Sequence, residues 1–121
     1  MRRDLELIRK MVMAIEDAPS GWAPHPLEIE GYPSAQIGYH AYLLIDAGLA
    51  NGRDCTDSGS EGPEGFISKL TWAGHEFADA ARDETRWKKA IGMVHDKAGS
   101  VTIAVLTQLL GGLMRASLGL P

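Results

Sequence analysis

The sequence predicts an α+β domain, and three observations carry that expectation. Ile37, Ala41 and Leu44 repeat at i, i+4 and i+7, the spacing of one helical face, and the pattern stops at Gly48, with Leu49 returning to the core. Two strand candidates follow, at 50–57 and 66–70, separated by the polar, Gly-rich stretch 57–65. Amphipathic helical patterns occupy both ends of the chain. A helix closed by Ala47-Gly48-Leu49 and followed by such a strand pair has the order of the third helix and wing of a winged-helix domain. The expected organisation is a winged-helix-like core over 1–84 and a helical extension over 85–121. That extension either packs on the core or forms a dimer interface.

Residues 4–18 read as the first helix, with Asp4 as its cap and Glu6 in the first turn, where the helix dipole favours an anion. Leu5, Ile8, Val12 and Ile15 form its expected buried stripe, and Pro19 and Gly21 end it. Four prolines between 19 and 33 exclude a helix there. Leu27-Glu28-Ile29-Glu30 alternates apolar with acidic and predicts a short strand with Leu27 and Ile29 inward. Pro33 suits the first turn of the central helix. Thr71 caps a helix to about Asp83, with Trp72, Phe77 and Ala80 or Ala81 as candidate buried positions. Thr85 opens another, with Trp87, Ile91 and Val94 on one face and Gly99 at its end. Ser100 caps a last helix to about Leu118. Val101, Val105, Leu109 and Leu113 make its stripe, widened by Leu106, Leu110 and Met114. Gly111-Gly112 inside that helix costs about 1 kcal/mol per residue relative to Ala, which predicts close packing against a neighbour.

At 121 residues and 45% hydrophobic content, the chain is long and apolar enough for one packed core. No apolar run is long enough to span a bilayer, and the N-terminus lacks the apolar core of a signal peptide, so the expected location is cytoplasmic. A single cysteine, Cys55, agrees. Net charge is −4, but its distribution is uneven. Residues 19–81 hold nine acids against two bases, Arg53 and Lys69, a net of −7. Nucleic-acid binding needs cations that displace condensed counterions, so this middle segment disfavours it.

Four stretches together resemble one family: Arg3-Asp4-Leu5-Glu6-Leu7-Ile8-Arg9-Lys10, Glu30-Gly31-Tyr32, Tyr39-His40 with Leu43 to Leu49, and Leu70 to Phe77. Asp83-x-Thr85-x-Trp87 and the closing amphipathic helix are similar too. The family is a group of bacterial and prophage proteins catalogued as domain of unknown function 2513. The resemblance covers nearly the whole chain. It implies a winged-helix-like fold and a frequent home in phages and mobile elements, and it supplies no catalytic residues.

Chemistry-bearing motifs are sparse. His75-Glu76-x-x-Asp79 approaches the paired-ligand spacing of a zinc helix, but it has no second His and no third ligand, so an amphipathic helix start is the plainer reading. His25, His40, His75 and His95 are dispersed. His40 lies on a packed helix and is expected to hydrogen-bond the backbone. Cys55, beside Asp54 and Asp57, sits where a thiolate is disfavoured. No metal, cofactor or catalytic residue is expected.

Two binding readings remain. In the first, Tyr39 and Tyr42 anchor a protein partner with a basic surface, and Asp54, Asp57, Glu61 and Glu64 steer it. The chain would then be a non-enzymatic, phage- or prophage-associated interaction protein that occludes a basic, nucleic-acid-binding surface of a host defence complex. Whether both tyrosines are exposed or pack on the 27–30 strand stays open at this point. In the alternative, a winged-helix transcriptional regulator contacts DNA through Arg2, Arg3, Gln36, Arg53, Lys69, Lys88 and Lys89, as a homodimer through the last helix.

Overall fold

The structure, a computed structural model, describes residues 1–97 and 103–121. Its elements run α1 (Leu5–Glu16), α2 (Ser34–Asp46), β1 (Ala50–Asp54), β2 (Gly65–Leu70), α3 (Trp72–Ala81), α4 (Glu84–Lys97) and α5 (Ile103–Ser117). This is the expected α+β class, and the order is consistent with a winged-helix-like arrangement followed by C-terminal helices. The chain divides into two compact units, Met1–Ala78 and Asp79–Pro121, so the division passes through α3.

In the first unit α2 packs against both strands and against α1, and α1 also reaches β2. Asp4 caps α1 through Oδ1, which accepts from the Leu7 N–H at 3.1 Å. The buried face of α1 is Leu7, Ile8, Met11, Val12 and Ile15. Leu5, expected in that stripe, is half-buried, and Leu7 and Met11 take its place. The helix buries a broad face rather than a seam, because α2 and the hairpin both lie against it. Each fully buried Leu or Met contributes roughly 2 kcal/mol.

The end of α2 follows from Gly48. Its φ of +78° is the left-handed conformation that a Cβ disfavours. The turn lets the Leu49 N–H reach the Leu44 carbonyl at 3.0 Å and the Gly48 N–H reach that of Ile45 at 3.0 Å, which satisfies the last carbonyls of the helix. At the other end Pro33 is the cap itself rather than a first-turn residue. Thr71 caps α3 as expected: its Oγ1 accepts from the Gly74 N–H at 3.1 Å and donates to the Gly48 carbonyl at 2.7 Å, tying α3 to the end of α2.

The expected strand at 27–30 does not join the sheet, which has two strands. Leu27 and Ile29 are half-buried between exposed Glu28 and Glu30, so the alternation recorded sidedness without pairing. Among the described residues, the backbone bond from this segment to β2 comes from the Ala23 N–H, at the Ser68 carbonyl, 2.8 Å away. Trp72, a candidate core residue, is 80% exposed, whereas Phe77 is fully buried.

In the second unit α4 and α5 pack together. Asp83 caps α4 through the Arg86 N–H at 2.7 Å. Trp87, Ala90, Leu106 and Leu110 are buried there, and Ile91 and Val94 are half-buried. Val105, expected in the α5 stripe, is 50% exposed. The stripe therefore centres on Leu106 and Leu110, with Leu109, Leu113 and Met114 at its margins. Among the described residues, Gly111 and Gly112 meet no neighbouring element: a Cβ at either would come within 4 Å of the Arg115 guanidinium alone, at 3.7 and 3.9 Å. Gly99, Ser100 and Val101 lie outside the described residues.

Candidate interaction surface

The β1–β2 hairpin and the part of α2 beneath it hold most of the residues singled out from the sequence. The hairpin docks through glycine. A Cβ on Gly65 would lie 2.5 Å from the Tyr42 N and 2.7 Å from its Cα, so only Gly lets β2 cross α2 this closely. One step earlier, the Glu64 side chain lies over Gly38. The wing's root is thereby set beside Tyr42 and one residue from Tyr39. The two tyrosine rings stack on each other, centroids 6.5 Å apart and 14° from parallel, and both are half-buried. They are not fully displayed, and 27–30 forms no strand for them to pack on.

His40, between them in sequence, is completely buried. The Asp4 N–H donates to its Nε2 at 2.8 Å, so its Nδ1 carries the proton and donates to the Gln36 carbonyl at 2.9 Å. A backbone amide has only a hydrogen to offer, which fixes the neutral ring in this tautomer. His40 is a clamp between α1 and α2, the backbone-bonded role expected of it.

The tip of the hairpin is an acidic loop held by its own donors. The Thr56 N–H and Oγ1 both donate to Asp54 Oδ1, at 2.9 and 2.5 Å. These bonds hold the Asp54 carboxyl below its usual range, the side-chain bond contributing most. Thr56 Oγ1 also accepts from the Glu64 N–H at 2.9 Å, which closes the loop. The Gly59 N–H donates to Asp57 Oδ1 at 2.8 Å, and Ser60 Oγ donates to Glu64 Oε2 at 2.9 Å. Asp54 and Asp57 thus use Oδ1 for the loop, and Oδ2 of each has no protein donor among the described residues. Glu61 is exposed at the loop's outer edge. The Cys55 thiol lies 3.6 Å from the Glu64 carbonyl and is part of the same closure.

The stem of the hairpin carries different chemistry. Asn51 pairs with Lys69, Gly52 with Ile67 and Arg53 with Phe66, so Ser68 is an extra residue on β2. In an unbroken strand Phe66 and Lys69, three apart, would face opposite ways; the bulge returns Lys69 to the face of Phe66. Ala50, Ile67 and Leu70 face the core and are buried. Asn51, Arg53, Phe66 and Lys69 therefore share the outer face. The Pro-rich segment lies over it. His25 stacks on Phe66 at 4.2 Å and 9°, the Arg53 guanidinium lies 4.4 Å over the same ring, and Lys69 Nζ lies 5.7 Å over Trp22. Trp22 is 59% exposed. A groove of about 140 Å³ runs between this segment and α2, lined by Ala23, Leu27, Ile37, Ala41 and Ile67 among others.

The remaining predicted residues divide between the two units: in the first, Gln36 is half-buried and Arg2 and Arg3 are exposed ahead of α1; in the second, Lys88 and Lys89 are exposed on α4, with Lys88 3.6 Å from Glu84. His75 Nδ1 lies 3.1 Å from Glu16 Oε2. Sequence reasoning missed Trp22, His25 and Phe66. Their only signal was two aromatic-x-x-basic spacings, Trp22-x-x-His25 and Phe66-x-x-Lys69, and the bulge that aligns the second is not written in residue type.

Comparison with known proteins gives one family. The model of the family described as hypothetical protein (DUF2513) matches residues 2–100. An uncharacterized protein of Haemophilus influenzae is 28% identical over 111 residues, covering 90% of this chain and 92% of its own. No solved structure matches. No helix among the described residues is long and apolar enough to cross a membrane.

Proposed function

The chain belongs to the DUF2513 family, and we propose that it is a non-enzymatic interaction protein whose acidic wing docks on a basic protein surface. The observation that carries this reading is the self-closed tip. Asp54, Asp57 and Glu64 accept hydrogen bonds from their own loop, so an exposed anionic surface exists before any partner arrives. Preorganisation lowers the ordering cost of association. Oδ2 of each aspartate stays available to a guanidinium or ammonium group, and Glu61 adds long-range attraction. The stacked Tyr39 and Tyr42 beside the wing's root supply aromatic anchors. In the phage or prophage setting that the family resemblance suggests, such a surface would occlude the nucleic-acid-binding site of a host defence complex.

The test uses an arginine-rich peptide of about 12 residues as the cationic probe, read by fluorescence anisotropy at low and high salt. Asp57→Asn with Glu61→Gln removes charge while keeping acceptors, and is expected to weaken binding about tenfold. Tyr39→Ala with Tyr42→Ala is expected to weaken it further. Affinity unchanged in both double variants sinks the reading.

A further inference from the structure

We propose that the outer face of the hairpin stem is a binding site for single-stranded nucleic acid, distinct from the acidic tip and from any duplex contact by α2. Three observations point to it. Arg53 and Lys69 are the two cations of the middle segment, and neither has an ion-pair partner among the described residues. Both instead lie over aromatic rings, Phe66 and Trp22, which orient them without neutralising them. The Ser68 bulge and the Pro-rich segment bring Trp22, His25, Phe66, Arg53 and Lys69 onto one exposed face.

That composition fits a flexible anionic chain carrying flat rings. Bases stack on aromatic side chains regardless of sequence, and cations alongside hold the phosphates. Trp22 is open enough to receive a base. His25 and Arg53 both lie against the Phe66 ring and are themselves exposed, so the imidazole and the guanidinium can each take another ring. A duplex hides its base faces and gains nothing from Trp22. A protein partner would be steered to the tip instead.

The acids do not cancel the site. Asp54 pairs across from Gly65 and alternates to the face opposite Arg53. Lys69 pairs with Asn51, three steps and roughly 10 Å from Asp54. That separation is about one Debye length at 0.1 M salt, so screening weakens the tip's repulsion there.

The experiment is fluorescence anisotropy with dye-labelled dT12, rU12 and a 12-base-pair duplex at about 0.1 M salt, on the full chain, with circular dichroism of every variant. The expected result is micromolar binding of the single strands, tighter than the duplex. Trp22→Ala should weaken it about tenfold. Lys69→Gln and Arg53→Gln should each weaken it and flatten the salt dependence by roughly 0.7 in log–log slope. Asp57→Asn with Glu61→Gln, which tests the tip, should leave it unchanged or strengthen it, so the failure of one site is distinguishable from that of the other. Absence of single-strand binding in the native chain overturns the proposal. So does binding that ignores both Trp22→Ala and Lys69→Gln, or a preference for the duplex.

Discussion

At the tip of the hairpin, three carboxylates accept hydrogen bonds from their own loop; along its stem, two cations lie over aromatic rings with no ion-pair partner among the described residues. Both ends belong to one segment whose net charge is strongly negative. A summed charge therefore misdescribes it. The acids are concentrated by turn chemistry, since Asp, Ser, Thr and Gly bond readily to nearby backbone. The cations are separated from them by strand alternation and by one bulge. Two surfaces of opposite sign fit on one small hairpin because its two faces and its loop are independent positions.

The largest way to break this contrast is to remove the hairpin's seat. Gly65→Ala drives a Cβ into the α2 backbone at Tyr42, where nothing flexible can yield. We expect a loss of about 3 kcal/mol in a thermal or urea melt, with the peptide and oligonucleotide affinities falling together. A melt matching the native chain would show that β2 does not need its close approach to α2.

His40→Ala comes next and serves as the control. It leaves the Asp4 N–H unsatisfied and opens a cavity between α1 and α2, at a cost of about 2 kcal/mol. Under conditions where the variant stays folded, neither surface should lose affinity for its probe. A selective loss at the tip or stem would mean that the clamp sets the hairpin's shape as well as its stability.

Thr56→Val separates the ends. It keeps the shape and removes the oxygen that joins Asp54 to the Glu64 N–H. The expected cost is about 1 kcal/mol, confined to faster amide exchange across 54–64. Peptide binding should weaken while oligonucleotide binding holds. Equal exchange in the two chains would place the loop's order elsewhere.

The parts legible in the sequence are those written in residue type. Gly48 ends α2 because only glycine takes that φ cheaply, Asp4 and Thr71 cap because their oxygens reach backbone N–H groups, and His40 bonds the backbone as its place on a packed helix predicts. What failed depended on neighbours. Alternation at 27–30 gave sidedness but not pairing: among the described residues the segment's backbone bond to β2 is made at Ala23, ahead of the alternation. Trp72 reads as core at its spacing, yet it lies outside and bonds Glu76 through Nε1. The acidic loop was legible as charge; that its carboxylates are held by the loop was not. The stem's aromatic–cation face depended on the Ser68 bulge, and any small polar residue could occupy that position.

The smallest effect is the most specific to the tip. Thr56 donates twice to Asp54, which favours the ionised carboxyl in the folded chain. In the unfolded chain that carboxyl has a pKa near 3.9. Between the lowered folded value and about 3.9, the unfolded state binds more protons, so stability rises with pH across that window. The contribution is complete above about pH 4 and is lost as pH falls through the folded value. Asp54 is exposed, so the effect on global stability is small, and the carboxyl carbon's chemical shift followed by NMR is the proper readout. In the native chain the Asp54 midpoint should lie below the ordinary aspartate value. In Thr56→Val the Asp54 midpoint should move upward, with only the backbone bond remaining. Identical midpoints in both chains would detach the loop's order from its charge, and with it the claim that the tip presents its anions ready-made.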